Sequence, residues 1–149
     1  MDVGTGSVGK TLRYELAGTL LVLVHGERSP ADTDWDDYTD ALRAHAHEIT
    51  GVLVATDGAG PDGRQRVKLN DLVRQRGGSF PTAVVTGSVV ARGIVTALGW
   101  FNPKLRAFAP AELADAVVYL GADPQRCDDL ASRITRMRTA LAKAEAGVY

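Results

Sequence analysis

The segment AVVTGSVVARGIVTALGWFNPKLRAFAPAELADAVVYL, residues 83–120, constrains the fold more than any other part of the chain, because it lays two β–turn–α units end to end. An apolar run over residues 83–85 is broken by Thr86-Gly87-Ser88. A helix with apolar periodicity then runs to Gly99, with Pro103 just beyond. A short strand over residues 105–108 breaks at Pro110, and a second helix starts at Ala111. Strands alternating with helices of this length require crossover connections and a sheet covered by helices.

The flanking sequence extends the pattern. Residues 11–16 alternate like a half-buried edge strand, and residues 20–24 (LLVLV) form the continuous apolar run of a central strand, with Ala17-Gly18-Thr19 as the hairpin turn between them. Trp35, Tyr38, Leu42, His45 and Ile49 mark one stripe of an amphipathic helix over residues 32–49, capped by Asp32 or Thr33. Residues 51–55 (GVLVA) read as another buried strand, residues 58–63 as a loop and residues 67–76 as a short helix ending at Gly77-Gly78. A last helix over residues 125–144 carries Cys127, Leu130, Ile134, Met137 and Leu141 at 3-4-3-4 spacing, a stripe that either docks on its own domain or forms a dimer seam. The expected fold is a single α/β domain. Its mixed, mostly parallel sheet has about five strands with helices packed on it, and a C-terminal amphipathic helix is added. The expected boundaries are a flexible tail over residues 1–10, the α/β domain over 11–122 and a helical extension over 123–149.

Composition narrows the function classes. A net charge of −1 on 149 residues lacks the basic excess of a general nucleic-acid binder. Cys127 is the only cysteine, so neither an internal disulfide nor a cysteine-rich metal site is expected. No apolar run approaches the roughly 20 residues of a membrane span, and residues 1–10 lack a hydrophobic signal core, so a cytoplasmic address is expected. An acidic stretch (Glu27, Asp32, Asp34, Asp36, Asp37, Asp40) precedes a basic one (Arg64, Arg66, Lys68, Arg74, Arg76). They read either as two solvated faces or as a dipolar surface that steers a charged partner or a second copy.

Two stretches resemble anion-binding devices. Gly4-Thr5-Gly6-Ser7-Val8-Gly9-Lys10-Thr11 fits the phosphate-loop string GxxxxGK[ST], in which Gly9, Lys10 and Thr11 would hold a nucleotide. That geometry needs a strand immediately before the loop, and only three residues precede it here. Thr86 and Ser88, ahead of the helix carrying Arg92, form the second candidate: a helix amino terminus offers unpaired N–H groups, and Arg92 one turn in would add a charged fork. The alternative is that Ser88 simply caps the helix. Asp57 and Gly58 end a neighbouring strand and would share that rim. His45 and His47, two residues apart on a helix, diverge and suit no joint metal site, and no metal or other cofactor is expected. Cys127 reads as packing, and Trp100-Phe101 as a core plug or an aromatic anchor for a protein partner.

Further residues carry a family resemblance. They are Thr56-Asp57-Gly58, then Gln65-Arg66 with Leu69-Asn70-Asp71, then AVVTGS at 83–88, Arg92-Gly93 within the next helix, Ala107-Phe108, and Glu112-Leu113 leading to residues 116–120. In this order over residues 11–122 they resemble the STAS superfamily, the bacterial anti-sigma-factor antagonist fold, and its SpoIIAA-like branch most. The resemblance implies a non-enzymatic regulatory module. Its protein partner would be a regulatory kinase, an anti-sigma-like factor or a second copy, bound by the loop after the third strand and the helix that follows. Asp57, Gly58, Gln65, Arg66, Thr86, Ser88, Arg92 and Trp100 are then the binding candidates. The family's phosphorylated Ser or Thr at that helix has no counterpart, since residues 57–76 contain neither; Thr56 and Ser79 are nearest. The rival class is a small nucleotide-binding enzyme using Lys10 and Thr11.

Overall fold

The computed structural model describes residues 6–99 and 102–147. Strands and helices alternate as the apolar runs dictate: β1 (Leu12–Ala17), β2 (Leu20–His25), α1 (Asp32–Ala44), β3 (Gly51–Ala55), α2 (Gly63–Arg76), β4 (Thr82–Val85), α3 (Val89–Leu98), β5 (Leu105–Phe108), α4 (Leu113–Tyr119) and α5 (Cys127–Glu145). The five strands form one sheet in the order β1-β2-β3-β4-β5, with β1 antiparallel to β2 and every other neighbour parallel. Ala17 pairs with Leu20, so Gly18 and Thr19 make a two-residue hairpin loop, and Gly18 takes the positive φ of 66° that such a loop demands.

Because the strand order never reverses, right-handed crossovers carry α1, α2 and α3 onto one face of the sheet. There Trp35, Tyr38 and Leu42 of α1 and Leu72 of α2 pack on Leu12, Tyr14, Leu21, Leu23, Val52, Val54 and Val84. The opposite face is covered by Ala116 and Val117 of α4 and by Leu130, Ile134, Met137 and Leu141 of α5, against Ala17, Leu20, Val22, Val24, Leu53, Ala83 and Val85. Side-chain alternation along each strand sorts the residues between these two cores, and β2 is apolar at successive positions because both faces are covered. The stripe of α5 is thus used within the chain, as the first of its two readings had it, with Cys127 only half-buried at its start.

Several boundaries differ from the sequence reading, each for a tertiary reason. The helix expected to reach residue 49 stops at Ala44. The chain must turn there so that the Thr50 N–H reaches the Thr19 carbonyl at 2.8 Å and aligns β3; Ile49 is buried by this turn instead of by helical spacing. Neither Asp32 nor Thr33 caps α1: the N-cap is Ala31, without a side-chain bond. The helix expected from residue 67 begins a full turn earlier at Gly63. Asp62 accepts the Gln65 N–H while the Gln65 side chain accepts the Asp62 N–H, each at 2.9 Å. The signature Asp62-x-x-Gln65 of this capping box is present in the sequence. The acidic and basic stretches meet each other: Arg64 pairs with Asp32 at 2.9 Å and Lys68 with Asp36, both across the surface between α1 and α2. Of the tail expected over residues 1–10, Gly6 to Lys10 lie against the domain. Gly6 bridges to Glu15, the Ser7 N–H reaches the Tyr14 carbonyl at 3.0 Å, and the Lys10 N–H reaches Asp34 at 3.1 Å.

Candidate functional site

The carboxyl ends of β2, β3 and β4 hold three buried polar residues, His25, Thr56 and Thr86. Each stands one position beyond Val24, Ala55 and Val85, which are mutually in register and face the α4–α5 core. Alternation therefore turns all three toward the α1–α3 side. The Thr56 hydroxyl donates to the Ala59 carbonyl at 2.6 Å and accepts the Gly58 N–H at 3.1 Å, which ties down the loop after β3. The Thr86 hydroxyl accepts the Ser88 N–H at 3.1 Å in the same kind of turn. His25 has an Nδ1 with no hydrogen-bond partner. Burial holds its imidazole well below the ordinary range, at about 4.

The structure brings Thr86, Ser88 and Arg92 together, and they satisfy one another. Ser88 Oγ accepts the Ala91 N–H at 3.1 Å as the N-cap of α3. The Arg92 guanidinium folds back to the Thr86 carbonyl at 2.8 Å. Arg92 thereby holds the strand end to the first turn of the helix. Asp57 stands apart from this group, exposed and directed to the α5 side, with its carboxylate 3.9 Å from Arg138. Gly58, beside it, has a φ of 132°.

Gln65 is buried against α1 instead of lying on the surface. Its side-chain amide nitrogen donates to the Pro30 carbonyl at 2.7 Å and to Asp32 at 3.1 Å, and its backbone carbonyl accepts the Trp35 indole N–H at 3.0 Å. We expect Gln65→Ala to lower stability by about 2 kcal/mol in urea denaturation, because it leaves the buried Pro30 carbonyl unpaired and opens the capping box. A variant as stable as the parent would return Gln65 to the role of a free contact residue. Arg66 is exposed at the outer side of α2, with one nitrogen 3.3 Å from the Pro61 carbonyl. Trp100 lies outside the described residues, as do Gly4 and Thr5.

The Gly9-Lys10-Thr11 string leads into edge strand β1 and not into a helix. Asp34 Oδ2 accepts the Lys10 N–H, the Thr11 N–H (2.8 Å) and the Thr11 hydroxyl, so a carboxylate occupies the position a phosphate would need. The open depression of ≈ 500 Å³ beside it is lined by Lys10, Arg28 and Thr33 and also by the acids Asp34 and Glu145. Among the described residues, no group of three or more His, Cys, Asp or Glu could hold a metal ion. His45 lies beyond the end of α1, bonded to Glu48 at 2.9 Å. No protein-family model, curated protein or solved structure matches this chain.

Proposed function

We propose that this chain is a non-enzymatic regulatory module of the STAS type that binds a protein partner through the loop after β3 and the outward face of α2. The element order on which the resemblance rests is the order of the fold. The observation that carries the proposal is the form of α2. Over 14 residues it buries only Gln65 and Leu72, yet its amino terminus is fixed by a capping box and by the buried Gln65 amide. A helix so firmly placed and so little covered offers a pre-organised surface, which lowers the ordering cost of association. Arg66 sits on that surface beside the loop pinned by Thr56.

Phosphorylation in this segment forms no part of the proposal. Residues 57–76 have no hydroxyl side chain, and the Thr56 hydroxyl is buried and doubly bonded. The test is affinity capture from cells that express the chain, comparing the parent with Arg66→Glu. A partner recovered in stoichiometric amount by the parent and lost with the variant, at unchanged melting temperature, is the expected result. An identical set of recovered proteins would remove α2 as the contact surface.

A further inference from the structure

The two edges of the sheet are finished differently. At β1 the chain supplies its own cover: the Ser7 N–H donates to the Tyr14 carbonyl at 3.0 Å, the Tyr14 N–H returns a bond to the Ser7 hydroxyl at 3.0 Å, and Gly6 bridges to Glu15. At β5 no strand lies beyond. The Thr82 N–H donates to the Lys104 carbonyl at 2.8 Å and the Thr86 N–H to the Phe108 carbonyl at 3.0 Å. In a strand the N–H and C=O of one residue point to the same side, and the side alternates along the chain. Lys104, Arg106 and Phe108 therefore serve β4, and Leu105, Ala107 and Ala109 turn their backbone groups outward.

Local bonds close both ends of this outer edge. The Leu105 N–H donates to the Asn102 carbonyl at 3.0 Å, the Ala109 N–H donates to the Glu112 carboxylate at 2.7 Å, and the Ala109 carbonyl accepts the Glu112 N–H at 2.8 Å. Between them, the N–H and C=O of Ala107 have no partner among the described residues. They are the two groups that one residue of an antiparallel strand would engage, exchanging both bonds with Ala107.

The charge at this edge selects the occupant. Arg106 is exposed on β5, its guanidinium 5.1 Å from the Tyr119 ring centre and 5.6 Å from that of Phe108. No carboxylate pairs with it among the described residues, and from residue 72 to residue 111 the chain has no Asp or Glu. The nearest acid that follows, Glu112, is turned to the Ala109 N–H. On an added strand, the residue beside Arg106 has its side chain on the same face, about 5 Å away, where an acidic group is favoured. A second copy paired through Ala107 would instead bring its own Arg106 to the diagonal position, roughly 7–8 Å off, with no acid between. The residue opposite Ala107 lies on the other face, beside α3, which rests on β5 and has no buried residue of its own.

We propose that the outer edge of β5 is a strand-addition site for an extended acidic segment of a partner protein, read by the Ala107 backbone and the Arg106 charge. This goes beyond the STAS-type reading and does not depend on it, since the surface is the edge of β5 and not α2.

The experiment is a titration of isotope-labelled protein, followed by amide NMR, with the peptide acetyl-Val-Glu-Val-Glu-Val-amide and with its counterpart carrying Lys for Glu. Alternation puts both charged residues of such a peptide on the Arg106 face. The Glu peptide should shift the amides of residues 105–109, with Ala107 moving most, and more weakly as salt is raised. Ala107→Pro removes the outward N–H without touching the ladder to β4, and should weaken the Glu peptide about tenfold. Arg106→Glu should weaken it about fivefold and strengthen the Lys peptide by a similar factor, an exchange of preference that loss of folding could not produce. Arg66→Glu should leave the response unchanged. Circular dichroism checks that each variant folds, and Arg106→Glu decides alone if Ala107→Pro does not. Absence of shifts at residues 105–109, or an equal response of parent and Arg106→Glu to both peptides, overturns the proposal. Ala107 shifts that follow dilution of the protein alone would show a second copy on this edge and overturn the acidic-segment assignment.

Discussion

A chain ended at residue 122 is expected to lose cooperative folding. The four buried residues Leu130, Ile134, Met137 and Leu141 of α5 are the cover of Ala17, Leu20, Val22 and Val24 on the β1–β2 hairpin. Burying a large aliphatic side chain contributes about 1.5–3 kcal/mol, so four of them account for roughly 6–12 kcal/mol, comparable to the whole net stability of a domain this size. The truncated chain would also expose an apolar sheet face. It should show a broad thermal transition and bind a hydrophobic dye, where the parent melts sharply. Arg133 and Arg136 add ion pairs to Glu15 at 2.9 and 2.8 Å, but these are partly solvated and secondary to the apolar contact. A sharp melt from residues 1–122 alone would show that the α/β unit is self-sufficient and α5 an accessory.

The second large effect concerns acid. His25 titrates at about 4 in the fold because burial disfavours its charged form, and near 6.5 when the chain is unfolded. Between those values the unfolded state takes up a proton that the folded state refuses, so stability is complete above pH 6.5 and falls as the pH drops toward 4. From pH 7.5 to pH 4.5 this one group should remove about 2–3 kcal/mol. His25→Leu deletes the titration together with the unpartnered Nδ1. Urea denaturation at the two pH values isolates the effect: the acid-induced loss in the variant should be smaller than in the parent by that amount. Equal losses in the two proteins would assign the acid sensitivity to other groups.

The fold class was legible because β2, β3 and β4 are short apolar runs bounded by Gly, Pro or a hydroxyl turn, β1 alternates, and α1 and α5 each carry a periodic apolar face. What the residues did not reveal is where tertiary demands override local pattern. His45 and Ile49 continue a helical spacing past Ala44, but the pairing of Thr50 with Thr19 ends the helix. Asp62 and Gln65 did carry a readable signal, and it lay hidden in a Gly-rich stretch that looks like loop. Among the candidate site residues, adjacency along the chain placed Thr86, Ser88 and Arg92 together. It could not show that they saturate one another, or that Gln65 turns inward to Pro30, because those bonds depend on how α1 and α2 lie side by side. The exposure of α3 was hidden as well: its apolar composition reads as core until the sheet order shows it at the end of the row of helices.

That unreversed strand order also shapes the route to the native state. Each unit from β2 to β5 can add beside the one just formed, using contacts between near neighbours in sequence. The other side of the sheet is sealed only when α5 returns to the hairpin across some hundred intervening residues, a closure of high contact order that forms late and slowly. The nascent hairpin therefore spends the longest time with one bare flank, and protection of its amides against exchange should mark the final step of assembly.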